Sequence, residues 1–225
     1  HTLEETARMA VDLANGDPIK DNYCDPIDYE VSRPLAADKT VKGLYSGGSL
    51  AAEAGMLIAE ALNLGGLIKE EGYILKTGGY EVVDLGDDVY TQGKPHPMID
   101  PEVRIKKILE CAKDPQTGVI LLDCMLGYGC HPDMAGALAP AIREAQEIAK
   151  ADGRELYFVA SVCGTRQDPQ DYDRAVAELK ECGVLVEESN ARAIRLALKL
   201  KGIDYKENTR GHVEAAVDET PLPEP

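Results

Sequence analysis

Residues 118–125 read GVILLDCM and are followed by LGYGCHPD at 126–133. A continuous apolar run is typical of a strand buried on both faces, and the polar stretch after it is typical of a turn into a helix. The sequence predicts four more strands, at 40–46, 80–85, 155–162 and 183–186. A helix is predicted after each strand, at 47–62, 100–113, 133–151, 171–182 and 190–200.

Five strand–helix repeats predict an α/β fold, because each helical crossover returns the chain to a parallel strand. We expect a flavodoxin-like, doubly wound, five-stranded parallel sheet of order 2-1-3-4-5, within a domain at 39–202. An N-terminal helix and linker (1–38) and a polar, poorly ordered C-terminal tail (203–225) complete the predicted organisation.

The N-terminal segment has two parts. Thr2 and Glu5 fit a capping box and Gly16 a C-cap, so a helix is predicted at 2–15. Residues 16–38 contain three prolines and are too long for an ordinary internal loop. Because this segment also carries apolar residues, we expect it to lie on a partner subunit; a disordered linker is the alternative. The apolar residues are Ile19, Tyr23, Ile27, Tyr29 and Val31.

The composition excludes several classes of protein. Lys and Arg number 24 and Asp and Glu 40, giving a net charge of −16 that disfavours nucleic-acid and membrane-surface binding. No apolar run is long enough to cross a bilayer, and the N-terminus lacks a signal peptide, although His1 in place of Met suggests missing upstream sequence. Six cysteines without a C-x-x-C pair and four histidines predict buried reduced thiols, no metal site and a cytoplasmic location.

Polar and glycine-rich loops follow the predicted strands at the sheet edge where α/β proteins bind ligands. Two of them, SGGS at 46–49 and GYGCHPD at 127–133, open helices, whose N-terminal amides bind anions well. The structural alternative is that the glycines only relieve tight turns. The predicted anion- and substrate-binding residues are Ser46, Gly47, Gly48, Ser49, Asp87, Asp88, Gly127, Gly129, Gly164, Thr165 and Arg166.

Three residues are candidates for acid–base or phosphoryl chemistry: His131, Asp133 and His96, which is held between two prolines. Each has a structural alternative: a histidine that bonds a neighbouring carbonyl, or a first-turn acid favoured by the helix dipole. Arg166 could likewise pair with an acid instead of an anionic ligand. Neither G-x-G-x-x-G nor G-x-x-x-x-G-K-[ST] occurs, so no dinucleotide or P-loop motif is predicted.

Several of these motifs, joined in order from 42 to about 200, resemble a known family. GLYSGGSL, DLGDD, GKPHPMIDP and LLDCMLGYGCHPDMA are similar to FdrA, the acyl-CoA-synthetase-like family, whose C-terminal part is a succinyl-CoA synthetase-type ligase domain. The resemblance implies acyl-phosphate or acyl-CoA chemistry, with carbamoyl transfer (oxalurate to carbamoyl phosphate and oxamate) as one form. The phosphohistidine of the relatives lies on the other half of the enzyme, and GYGCHPD replaces the usual GG turn, so His131 is not assigned that role.

The resemblance also implies what the chain works with. CoA and nucleotide would be bound by another domain or by a companion subunit carrying the CoA-binding and first ligase-like domains. This chain would then handle a small carboxylate or an acyl phosphate in a hetero-oligomer, and alone it is expected to be inactive.

The alternative is a non-catalytic assembly or regulatory module. Two other flavodoxin-like classes are disfavoured, because Tyr45-Ser46 stands where a receiver domain has acids and no Trp is available to cover a flavin.

Overall fold

The computed structural model describes residues 2–65, 67–68 and 70–206, so most of the predicted tail lies outside the described residues. The described residues divide into two compact units, one that contains residues 2–26 and one of Ile27–Tyr205. In the first unit, helix α1 spans Leu3–Asn15. Thr2 Oγ1 accepts the Glu5 N–H at 3.1 Å, and Gly16 ends the helix with φ 76°, so both predicted caps are confirmed.

The second unit contains a six-stranded, mostly parallel sheet. The strands are β1 (Thr40–Tyr45), β2 (Tyr73–Thr77), β3 (Tyr80–Asp84), β4 (Thr117–Met125), β5 (Tyr157–Cys163) and β6 (Leu185–Glu187). They lie in the order β2-β3-β1-β4-β5-β6, and all neighbouring pairs are parallel except β2 with β3. β4 lies inside the sheet and is buried along almost its whole length, as its apolar run predicts.

Strand β2 corrects the prediction of five strands. It pairs antiparallel with β3 through a two-residue turn, Gly78-Gly79, in which both glycines have positive φ. Such a turn suits glycine because other residues are strained in the left-handed region. The Gly-Gly signal of a hairpin was therefore present in the sequence, but the preceding strand was not predicted from it.

The described residues of the second unit form six helices: α2 (Gly48–Leu62), α3 (Asp88–Thr91), α4 (Glu102–Lys113), α5 (Met134–Ala151), α6 (Tyr172–Glu181) and α7 (Asn190–Leu200). Helices α2 and α7 bury their apolar residues against one face of the sheet, and α4, α5 and α6 bury theirs against the other. The helix predicted at 100–113 begins at Glu102, and the short α3 was not predicted.

Residues 27–38 pack on the chain's own sheet domain. Ile27, Tyr29, Val31 and Leu35 contact the apolar cluster between the sheet and helices α2 and α7. Lys199 Nζ donates to the Ile27 carbonyl at 2.8 Å, and the Leu35 N–H donates to the Leu200 carbonyl at the same distance. This corrects the expectation that the apolar residues of this part of the linker are held for a partner.

The cysteines are all free thiols. Cys111, Cys124 and Cys182 are buried, and burial raises the pKa of the Cys111 thiol to about 12, which makes it a poor nucleophile. Cys163, expected to be buried, is exposed because it lies at the end of β5, where the strand leaves the sheet. No helix within the described ranges is long and apolar enough to span a membrane.

Candidate active site at the carboxyl ends of the strands

The loops after β1, β3 and β4 meet at one edge of the sheet, because these strands are parallel neighbours. The 95–98 loop joins them, since the His131 N–H donates to the Met98 carbonyl at 2.7 Å. Both candidate histidines therefore lie at this edge with the SGGS turn. The loop after β5 adjoins the β4 loop, where the Leu126 N–H donates to the Cys163 carbonyl at 2.9 Å.

A buried ion pair lies beneath the first of these loops. Asp123 on β4 and Arg104 on α4 are both fully buried, and Arg104 Nη2 donates to Asp123 Oδ1 at 3.0 Å and to the Asp123 carbonyl at 2.6 Å. An unpaired buried charge is very costly, so each residue requires the other. Neither residue was among the predicted site residues.

Asp123 fixes the backbone of the β1–α2 turn. Its carboxylate accepts the Ser46 N–H at 2.9 Å, the Gly47 N–H at 2.8 Å and the Ser46 hydroxyl at 3.1 Å. The predicted anion site is therefore partly filled by the chain's own carboxylate. The first turn of α2 remains open, since Gly47 is the N-cap without a capping side chain and Gly48 and Ser49 are exposed.

Asp84, at the end of β3, lies against this turn. Its Oδ1 accepts the Gly86 N–H at 2.8 Å, and a Cβ at position 48 would lie 2.6 Å from its Oδ2. A side chain at position 48 would therefore force the Asp84 carboxylate to move. Partial burial raises the pKa of the Asp84 carboxyl, and the Gly86 N–H offsets part of that rise.

His96 occupies the other side of Gly86. A Cβ at Gly86 would lie 2.5 Å from His96 Nε2, 2.9 Å from the Ser46 carbonyl oxygen and 3.1 Å from Asp84 Oδ1. Only glycine leaves room here for the imidazole and the carboxylate together. His96 Nδ1 accepts the Met98 N–H at 3.2 Å, which orients the ring.

The β4–α5 turn is shaped by its glycines and held by a side chain from the neighbouring loop. Gly127 and Gly129 have φ values of 139° and 85°, which strain any other residue. Gln170 accepts the Gly127 N–H at 2.9 Å and donates to the Gly127 and His131 carbonyls. Tyr128 is 91% exposed at the tip of the turn.

Asp133 is occupied by structural contacts. Its Oδ1 accepts the Gly136 N–H at 3.0 Å, capping α5, and its Oδ2 pairs with Arg174 at 3.1 Å. Its own N–H donates to His131 Nδ1 at 3.0 Å. These contacts fit the structural alternative, in which Asp133 is an acid at the start of a helix. Its catalytic role stays a prediction.

The remaining predicted residues lie away from the Asp84–His96 pair or serve local structure. Asp87 caps α3 by accepting the Val89 N–H at 3.1 Å, and Asp88 is an exposed residue of that helix's first turn. The roles predicted for these acids remain untested.

Gly164, Thr165 and Arg166 line a separate open cleft of about 800 Å³ between α6 and the ends of β5 and β6. Arg166 forms a bidentate pair with Asp173 at 2.8 and 3.0 Å, so its charge is already compensated. The Thr165 N–H likewise donates to Asp168 at 2.6 Å. The role predicted for these three residues as ligand-binding groups stays a prediction.

Four residues of this edge were not predicted as site residues: Asp84, Arg104, Asp123 and Gln170. One signal for Asp123 was available, because it is the single charged residue in the apolar run 118–125. Arg104 had no such signal, since it is one of many charged residues in a helix whose pattern is amphipathic. Among the described residues no group of three or more His, Cys, Asp and Glu is arranged to hold a metal ion.

Comparison with known proteins agrees with this architecture. The family described as CoA-ligase matches residues 44–200, a span that contains all the site residues named above. An uncharacterized protein of Escherichia coli (strain K12), YahF, is 35% identical over 184 residues, which cover 75% of this chain and 36% of that protein. The chain thus spans about a third of the length of this curated relative.

Proposed function

Since this chain belongs to the CoA-ligase family, we propose that its sheet domain forms one wall of an active site that handles an acyl phosphate. The enzyme would be an FdrA-type, acyl-CoA-synthetase-like protein, and a companion subunit or further segment would complete the site. This second part would bind CoA or nucleotide, and the complete enzyme would be a hetero-oligomer if the companion is a separate chain.

One observation supports the proposal most strongly. The open first turn of α2 is held in place by Asp123 and stands beside Asp84 and His96. Backbone amides at a helix start stabilise a phosphoryl or acyl oxyanion, and they do so best when the backbone is fixed before the ligand arrives. Because Asp123 is buried and paired with Arg104, it holds that backbone without facing the ligand itself.

The acyl group we propose is carbamoyl, on the strength of the resemblance to FdrA. The chain would then act in purine or nitrogen catabolism, with carbamoyl phosphate and a small carboxylate such as oxamate as its ligands. Both are anions that suit the same open helix start.

Anion binding at the start of α2 is tested by amide NMR on the full chain with its companion bound. Titration with inorganic phosphate and with carbamoyl phosphate is expected to move the amide signals of 46–50, and those of 127–133 if the second turn also contributes. An Asp173→Asn variant is a matched control, because it changes the charge of the separate cleft and should leave the titration unchanged. If neither anion moves the signals of 46–50, the assembly or regulatory module becomes the better explanation.

The proposal that a companion completes the active site is tested by enzyme assays of the chain alone and with the companion. The isolated chain is expected to show no acyl-CoA formation and no carbamoyl transfer, because the groups that bind CoA or nucleotide are assigned to the companion. Addition of the companion should restore turnover. Ordinary enzymic rates from the isolated chain would contradict the shared site.

A further inference from the structure

Both candidate histidines are held in the same tautomer. Nδ1 of His96 accepts the Met98 N–H, and Nδ1 of His131 accepts the Asp133 N–H. A neutral imidazole whose Nδ1 is an acceptor carries its proton on Nε2. Each ring therefore presents an N–H donor at Nε2.

Asp84 differs from the two histidines, because one of its acceptor atoms is free. Its Oδ1 is engaged by the Gly86 N–H, whereas Oδ2 has no hydrogen bond within the described part of the chain and faces the open turn of α2 at Gly48. His96 Nε2 and Asp84 Oδ1 lie 2.5 and 3.1 Å from one point, the position of a Cβ on Gly86, so the two side chains are neighbours. Asp84 therefore has a free acceptor oxygen beside the open turn of α2, whereas the acceptor nitrogen of each imidazole is already engaged.

We propose that Asp84 is the group of this site that takes up a proton when the oxyanion binds, and that His96 is a positioning residue whose Nε2 lies beside Asp84 across Gly86. The identity of the oxyanion rests on the proposed function. A proton enters Oδ2 from solvent when the anion binds, and the protonated oxygen then donates to an oxygen of the anion. The proton returns to solvent when the anion leaves, so no further reactant is needed.

The charges around Asp84 favour this exchange. Asp87 and Asp123 face it and raise the pKa of its carboxyl, in addition to the larger effect of partial burial, while the Gly86 N–H and His96 lower it. Arg104 is already paired with Asp123. A bound anion adds negative charge beside Oδ2 and should raise the pKa of Asp84 further, which couples anion binding to proton uptake.

The first test uses NMR of the unliganded full chain and does not depend on the proposed function. Imidazole ¹⁵N shifts are expected to show the Nε2–H tautomer for His96 at neutral pH. The ¹³C-detected titration midpoint of Asp84 is expected to lie above that of an ordinary aspartate and to rise further in His96→Ala. His96→Gln places an amide donor near the same position and should bring the midpoint back toward the wild-type value. An Nδ1–H tautomer, or an Asp84 midpoint unaffected by His96→Ala, would overturn the proposal.

The second test adds sulfate, a dianion that does not itself titrate near neutral pH, to the full chain with its companion bound. Sulfate is expected to raise the Asp84 midpoint, and Asp84→Asn is expected to bind sulfate on the order of tenfold more tightly at pH 7, with little change between pH 5 and 8. Sulfate that moves the amides of 46–50 but not the Asp84 midpoint refutes the proton exchange alone. Sulfate that moves no amide at this edge refutes both the exchange and the proposed anion site, whatever the unliganded titration gives for Asp84 and His96.

Discussion

The two glycine-rich turns at neighbouring strand ends, 46–49 and 127–133, look alike in sequence but differ in what holds them. The first is fixed from beneath by the buried Asp123, and the helix it opens has no capping side chain. The second is held from the side by Gln170, and Asp133 caps its helix. A helix start fixed by a buried residue stays open to a ligand, whereas one capped by its own first acid has fewer free amides to offer.

Removing Asp123 is expected to have the largest effect, because it abolishes the feature that distinguishes the first turn. Asp123→Ala leaves Arg104 buried without a partner, and the free energy of unfolding should fall by about 3–5 kcal/mol. Urea unfolding followed by circular dichroism measures this loss. The amide signals of Ser46 and Gly47 should shift in any fraction that remains folded.

Arg174→Ala is the matched control for that loss, because it breaks an ion pair at the second turn that is exposed to solvent. Its effect on unfolding should stay below about 1 kcal/mol. The double variant Asp123→Leu/Arg104→Met should recover the part of the loss that comes from the unpaired Arg104 charge, but not the part that comes from the Ser46 and Gly47 N–H groups, which still lack their acceptor. Equal losses from Asp123→Ala and Arg174→Ala would show that the two turns are not held differently.

Adding a methyl group beside each turn is expected to lower the free energy of unfolding by an intermediate amount, for a different reason at each turn. Gly86→Ala puts a Cβ against His96 Nε2 and the Ser46 carbonyl and should cost about 1–3 kcal/mol of unfolding free energy. Gly129→Ala meets no atom within 4 Å, and its cost of about 1–2 kcal/mol comes only from the positive φ.

The imidazole NMR signals separate these two causes. Those of His96 should move in Gly86→Ala and stay in place in Gly129→Ala. If His96 signals are unchanged in Gly86→Ala, the ring does not occupy the space next to Gly86.

Apart from the control variant, the smallest loss of stability is expected when the side chain that caps the second turn's helix is removed. Asp133→Ala removes the side chain that accepts the Gly136 N–H and should cost about 1 kcal/mol, and Asp133→Asn should cost less because an amide oxygen still caps the helix. Thermal unfolding of the three proteins measures the difference. A much larger loss of enzyme activity than of stability in Asp133→Asn would instead support the catalytic role predicted from the sequence.

The order of strands and helices was largely available from the sequence, because apolar periodicity is a local property. The run at 118–125 gave β4 within one residue, and the caps at Thr2 and Gly16 gave the ends of α1. Strand β2 was missed because its residues, YILKT, make a short half-exposed edge strand. An edge strand lacks the continuous apolar run that identifies a buried one.

The contacts within the candidate site could not be predicted, because the sequence gives the position of a residue but not its partner. Glycine content and rigid flanking prolines made the SGGS turn and His96 candidates, and their roles stay predictions. Asp133 and Arg166 were predicted because they are charged side chains in loops that follow the strands, but in the folded chain they pair with Arg174 and Asp173. Such pairs cannot be assigned in a chain with 24 basic and 40 acidic residues.

The sequence by itself determined that this is an α/β domain with polar, glycine-rich loops at one edge of a parallel sheet. Tertiary structure decided which of those loops has free amides and which carboxylate faces them. The physical reason is separation along the chain: Asp123 is 77 residues from Ser46 and 19 from Arg104, so their contacts form only when the strands pair and α4 packs. Burial then makes these contacts strong, because a charge removed from water must be satisfied by the groups that the fold places around it.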